Sequence, residues 1–150
     1  MTFASILSIL CLMSIEFHIN IPARDRFWEL FQTTGWNEKY RLSPDDLMCA
    51  LHASWYTLSA YDGERLVGFG RLVSDGVLHA VIDELMVLPE YQGQGIGGEI
   101  LEMLVEKCRE AGVRDIQLFS ARGKREFYEK RGFRARPDDA PGMQYVGQGG

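Results

Sequence analysis

The chain has 150 residues, 46% hydrophobic and 25% charged, with a formal net charge of −5 at pH 7. That length suits one domain with one sizeable core, and the composition reads as soluble and globular, excluding disordered and fibrous classes. The acidic balance disfavours non-specific binding to nucleic acid and better suits a cationic ligand such as an amine.

Cys11, Cys49 and Cys108 are widely spaced and form no Cys-x-x-Cys or Cys/His cluster. Neither a disulfide scaffold nor a structural metal site is expected, and a reducing cytoplasm fits. Ile6 to Met13 is apolar but far short of the roughly 20 residues a membrane span needs. No Lys or Arg precedes it, which makes a poor signal peptide. Residues 1–12 are read as an extension that function does not need, with Met13 as a candidate start.

Ile15, Phe17, Ile19 and Ile21 alternate with Ser14, Glu16, His18 and Asn20, the period of a half-buried strand. Pro22 ends it and suits the first turn of a helix that carries Phe27, Trp28, Leu30 and Phe31 inward and stops before Gly35. Ser43-Pro44-Asp45-Asp46 starts a second helix, with Ser43 as N-cap, Pro44 at N1 and acids in the first turn; it runs to about Ala53. Trp36, Tyr40 and Trp55 are read first as core and second as the wall of a substrate pocket.

Three strands follow, Trp55 to Tyr61, Leu66 to Val73 and Val77 to Leu88, with Asp62-Gly63 and Asp75-Gly76 as the turns of an antiparallel meander. A helix from Gly97 to Ala111 has Ile100, Leu101, Leu104, Val105 and Cys108 on its apolar face and stops at Gly112. Cys108 therefore reads as core, not as a nucleophile. Ile116 to Ser120 is a short strand parallel to the one before the helix. Lys124 to Arg131 is a short basic helix, Phe133 opens a final extended segment resuming near Met143 to Val146, and Gly147 to Gly150 is a flexible tail.

The chain is organised around Val87-Leu88-Pro89-Glu90-Tyr91-Gln92-Gly93-Gln94-Gly95-Ile96-Gly97-Gly98. Backbone N–H groups near a helix start, with little side chain in the way, form a site for an anionic group. Gly93, Gly95 and Gly98 formally satisfy the dinucleotide fingerprint G-x-G-x-x-G, with Asp115 further on. The context argues against it: Pro89 to Gln92 intervene, the preceding strands are antiparallel, and Asp115 stands before its strand. A nucleotide-triphosphate loop needs Lys after its last glycine, and Glu99 stands there.

Gln92-x-x-Gly95-x-Gly97 resembles the acetyl-CoA loop of the GNAT (Gcn5-related N-acetyltransferase) superfamily. The second signature of that family is matched by Phe127-Tyr128-Glu129-Lys130-Arg131-Gly132-Phe133. Leu66 to Gly76 and Arg136 to Met143 look like the plastid and cyanobacterial serotonin N-acetyltransferase-like branch and its bacterial relatives. The resemblance implies an α+β GNAT fold over residues 13–146 as a single acetyltransferase domain. Its sheet would be mixed, mostly antiparallel, with about six or seven strands and about four flanking helices. It further implies acetyl-CoA as co-substrate, no metal, a small-molecule or peptide amine as acceptor, no nucleic acid or membrane partner, and a homodimer. The alternative function is a non-catalytic acyl-CoA-binding or sensing module.

Acetyl transfer from a thioester to an amine needs a base for the amine, polarisation of the carbonyl and protonation of the leaving thiolate. The resemblance makes Tyr128 the acid and Asp83 or Glu84 the base. One of that pair faces the groove by alternation, but the resemblance implies a bulge in this strand, which scrambles parity, so the choice stays open. His79 is a third candidate, with an unperturbed pKa near 6.5. The resemblance also implies that the backbone of Met86, Val87 and Leu88 meets the pantetheine arm like an added strand. Gln92, Gly93, Gln94, Gly95, Ile96, Gly97 and Gly98 would hold the pyrophosphate. Lys124 and Phe127 are further coenzyme contacts, with Arg122 and Arg125 as candidates for the outer phosphates or as a solvated face. Many relatives carry Asn just before the final helix; here Ala121-Arg122-Gly123 stands instead.

Overall fold

A computed structural model describes residues 14–147. The expectations for residues 1–12, Met13 and Cys11, and for the last three residues of the tail, lie outside that range. The chain divides into two compact units, one up to Phe119 and one from Ser120 onward, described here in turn.

The first unit opens with β1 (Ile15–His18), whose side chains alternate between half-buried and exposed. The strand stops short of Ile21, and Ile19 is exposed. α1 (Arg24–Gln32) follows with Ala23 as N-cap, so Pro22 lies just before the helix and not in its first turn. Phe27, Leu30 and Phe31 are buried as expected, while Trp28 is half-buried. One turn, α2 (Asn37–Tyr40), ends where Arg41 adopts a φ of 54°. The Asn37 side chain clips that turn to Leu42, accepting from its N–H at 2.9 Å and donating to its carbonyl at 3.1 Å.

α3 (Pro44–His52) has the expected start in full. The Ser43 hydroxyl accepts from the Asp46 N–H at 3.1 Å, and the Asp46 carboxylate accepts from the Ser43 N–H at 2.8 Å. This reciprocal box satisfies two donors that a helix start otherwise leaves open.

The meander is β2 (Tyr56–Asp62), β3 (Arg65–Ser74) and β4 (His79–Val87), and β5 (Asp115–Leu118) adds in parallel to β4. The strands lie in the order β1-β2-β3-β4-β5. At the β3–β4 turn the Asp75 carboxylate accepts from the Val77 and Leu78 N–H groups at 2.8 and 2.7 Å. Those bonds to the charged form hold its pKa below the ordinary value.

α4 (Ile96–Ala111) buries Ile96, Ile100, Leu101, Leu104 and Cys108 against the sheet and ends at Gly112, which has a φ of 72°. It packs closely where β3 carries glycine in place of a side chain. A Cβ on Gly68 would stand 3.2 Å from Ile96 Cγ2, and one on Gly70 would stand 2.9 Å from both Ile100 Cγ2 and Leu104 Cδ1. Phe69, between those glycines, points to the other face and meets the Phe27 ring edge-on at 4.8 Å. α1 and α4 therefore cover opposite faces of the sheet.

The second unit holds α5 (Arg125–Glu129), which Gly132 follows with a φ of 89°. No strand forms in the expected final extended segment, and the sheet has five strands among the described residues, fewer than the six or seven expected. Pro137 and Pro141 remove ladder donors from that stretch, and Met143, Tyr145 and Val146 are exposed. The described helices number five, the addition being the single turn of α2.

Candidate active site

β3 and β4 pair at Leu72↔Ile82 and Arg71↔Asp83, then again at Phe69↔Met86 and Gly68↔Val87. Two residues of β4, Glu84 and Leu85, thus oppose the single Gly70, which is a β-bulge. Glu84 has a φ of 45°, a conformation that costs a residue with a Cβ about 1–2 kcal/mol. The bulge breaks the alternation of the strand. Asp83 and Glu84 both turn to the Arg71 guanidinium: Glu84 pairs with its Nε, and Asp83 lies 3.9 Å from Nη2.

Arg71 was not among the residues the sequence singled out. Its side chain is only 14% exposed. Its Nη1 donates to the Ala50 carbonyl at 3.3 Å and to the Ser54 hydroxyl at 3.2 Å, both at the C-terminal end of α3. The signal available was a cation inside the apolar run Leu66 to Val73, since a guanidinium so placed needs anionic company. Burial raises the Glu84 pKa above the ordinary carboxylate value; the Arg71 bond and charge oppose that rise, and the Asp83 charge adds to it. His79 stands at the far end of β4, about 17 Å along the strand from Glu84. It is exposed and sits 3.4 Å from the Asp115 carboxylate, away from the acidic pair.

The bulge also marks where the sheet opens. β5 pairs with β4 only from His79↔Asp115 to Ile82↔Leu118. Beyond Ile82 that edge of β4 has no strand partner among the described residues of the first unit, although β3 still pairs with the other edge through Val87. The backbone of Met86 and Val87 thus presents one open side, suited to an extended ligand that adds like a strand.

β4 then runs into a single 3₁₀ turn, Pro89–Tyr91. The Tyr91 hydroxyl anchors it to the Asp62 carboxylate at 2.6 Å. Gln92 does not project into the loop; its amide turns back and donates to the Val87 carbonyl at 3.0 Å. Gly93 and Gly95 have φ of 78° and 87°, and a Cβ at either would meet nothing within 4 Å. Gly95 is the N-cap of α4, its carbonyl accepting from Glu99 at 3.0 Å. The N–H groups of Ile96, Gly97 and Gly98 precede that first helical bond and are left for a ligand. A cleft of about 460 Å³ lies beside Leu88 to Glu90, between α1 and the β2–β3 turn. Its guanidiniums are already paired, Arg65 with Glu90 and Arg26 with Glu64.

Tyr128, Lys124 and Phe127 belong to the second unit. Tyr128 packs edge-on against Phe127 and Phe133, with ring centroids 5.0 and 6.1 Å away. Burial raises its pKa, so the phenol holds its proton firmly. Arg131 lies over the Phe127 ring at 4.0 Å and donates to the Phe127 carbonyl at 2.9 Å. Lys124 is the exposed N-cap of α5, Arg122 is exposed, and Arg125 is engaged with Glu129 at 2.6 Å. Of the aromatics near the N-terminal helices, Tyr40 is 56% exposed and so is not core. Trp36 is half-buried against Phe31, and half-buried Trp55 has the Lys107 ammonium over its ring at 5.5 Å.

This architecture is shared with solved acetyltransferases. A GNAT-family acetyltransferase from Streptococcus pneumoniae superposes with a TM-score of 0.72 at 28% identity, covering 91% of this chain and 98% of that one. The model of the acetyltransferase (GNAT) family matches residues 22–133. The chain belongs to that family.

Among related sequences, the uncharacterized N-acetyltransferase ycf52 of Porphyra purpurea is 38% identical over 79 residues, 53% of this chain and 45% of that protein. The chloroplastic GCN5-related N-acetyltransferase 2 of Arabidopsis thaliana is 38% identical over 87 residues, 55% of this chain and 34% of that protein. The chain therefore matches less than half the length of these relatives. The likeness to plastid sequences agrees with the branch that the motifs resemble. No helix among the described residues is long and apolar enough to cross a membrane.

Proposed function

We propose that the chain transfers an acetyl group from acetyl-CoA to a primary amine by direct attack in a ternary complex. One observation carries this reading: the open edge of β4 begins at the bulge that bears Glu84 and leads to the glycine-bounded start of α4. A thioester laid along that edge, with its pyrophosphate on the N–H groups at Gly95 to Gly98, would have its acyl end towards the acidic pair.

In this reading Glu84 takes the proton from the acceptor ammonium, with Asp83 beside it. The freed nitrogen forms a bond to the thioester carbonyl carbon. The C–S bond breaks, and Tyr128 gives its proton to the leaving thiolate, a role supported by the Phe-Tyr motif. The former amine nitrogen loses its second proton, which restores the phenol and leaves a neutral amide. Burial raises the Tyr128 phenol above its ordinary value near 10, so transfer to a thiolate whose thiol has a pKa of about 8.5 is uphill and relies on the hydrogen bond it donates as the C–S bond breaks. Backbone amides hold the pyrophosphate at no cost in side-chain ordering, which suits a site serving a constant donor. The acidic pair and the partly exposed Tyr40 and Trp36 on the N-terminal helical layer favour a small cationic amine as acceptor.

The test is release of free CoA from acetyl-CoA in the presence of a panel of primary amines, spanning arylalkylamines, polyamines and lysine peptides. Amine-dependent release with formation of the acetylated amine is expected. Acetyl-CoA binding without release from any amine would favour the non-catalytic acyl-CoA-binding module instead.

A further inference from the structure

Glu84 occupies a place that its own backbone disfavours. A left-handed glutamate persists only where its surroundings hold it, and Arg71 is the side chain that does so. The same guanidinium reaches three places in the fold: Glu84 in the bulge, Asp83 beside it, and the Ala50 carbonyl and Ser54 hydroxyl at the end of α3. Ser54 is itself fixed, its hydroxyl donating to the Ala50 carbonyl at 3.1 Å. The planar fork of an arginine permits this reach; a lysine has one nitrogen to offer.

We infer that Arg71 is a positioning residue for acetyl transfer: it bridges the C-terminal turn of α3 to the β4 bulge and holds the Glu84 carboxylate in the orientation that receives the acceptor's proton. This rests on the proposed function only for the last step, because the bridge itself is independent of any reaction. It gives the N-terminal helical layer a direct tie to the base. The charged groups acting on Glu84 are Arg71 from β3 and Asp83 from β4, and α3 contributes only the neutral carbonyl and hydroxyl that bind Arg71.

The test reads the Glu84 carboxyl by carbon-13 NMR titration, with Glu84→Gln assigning the signal, alongside the pH profile of kcat. Removing a cation disfavours the carboxylate, so Arg71→Met should move the Glu84 titration upward by about one pH unit or more. The acid limb of kcat should follow it, and kcat at the optimum should fall at least tenfold. Arg71→Lys keeps the charge without the fork. It should bring the titration back towards the wild-type position while kcat stays at least fivefold down. Ser54→Ala loosens only the α3 end and should lower kcat about twofold to fivefold with little change in the titration. If Arg71→Met fails to fold, the lysine and alanine variants carry the test. A Glu84 titration unmoved in Arg71→Met, or full kcat in Arg71→Lys, would overturn the inference. Absence of acetyl transfer in the wild-type protein would overturn the proposed function instead and leave the titration to be read by itself.

Discussion

The glycine loop and the bulge stand at the two ends of one short stretch of β4, and they are built in opposite ways. The loop works through backbone. Gly93 and Gly95 take left-handed conformations with empty space where a side chain would be, and Gln92 folds back to brace the strand end. The bulge works through side chains drawn from three places in the chain, with Asp83, Glu84 and Ser54 converging on the Arg71 guanidinium. A backbone site depends on a few consecutive residues and tolerates change elsewhere. A side-chain site depends on register, and a single residue of slip would disperse it.

The largest test of this contrast is Glu84→Gln. If the bulge does chemistry, kcat falls about 10²–10⁴-fold, with the acid limb of the wild-type profile abolished. The sign follows from burial: the Glu84 pKa is raised, so activity in the wild type is lost at a higher pH, as pH falls, than an ordinary carboxylate would give. Steady-state rates from acid to neutral pH check both points. A smaller effect is expected from Gly68→Ala, which touches the loop's support and leaves the acids alone. The added Cβ would stand 2.9 Å from Ile100 Cδ1 within α4, and it presses on Ile96, the first residue of α4, at 3.2 Å and on Ala60 Cβ at 3.3 Å. Overpacking of this kind costs about 1–3 kcal/mol, read by urea unfolding, and it should weaken acetyl-CoA binding more than it lowers kcat.

Much of the fold was legible because local chemistry specified it. Ser43, Pro44 and Asp46 announce a capped helix, Gly112 a helix end, and the Asp-Gly pairs the turns of the meander. The loop was legible for the same reason, since glycines in left-handed backbone leave a trace in composition. The acidic pair was legible only as a pair. No residue type marks Glu84 as left-handed, so alternation and the bulge that the resemblance implies left the choice between the two open, and the structure turns both to Arg71. Arg71 itself escaped because its partners lie 12 to 21 positions away along the chain. The last segment misled for a different reason: apolar residues near Met143 to Val146 resemble a strand, but a strand needs a neighbour with which to pair, and composition cannot supply one.

The most direct measurement is a calorimetric titration with acetyl-CoA of the wild-type protein, Gly95→Val and Glu84→Gln. Valine at a φ of 87° forces the loop out of its present course. Predicted is binding at least tenfold weaker in Gly95→Val and essentially wild-type affinity in Glu84→Gln. Undiminished affinity in Gly95→Val, or an equal loss in both variants, would contradict the assignment of the donor to the loop and the chemistry to the bulge.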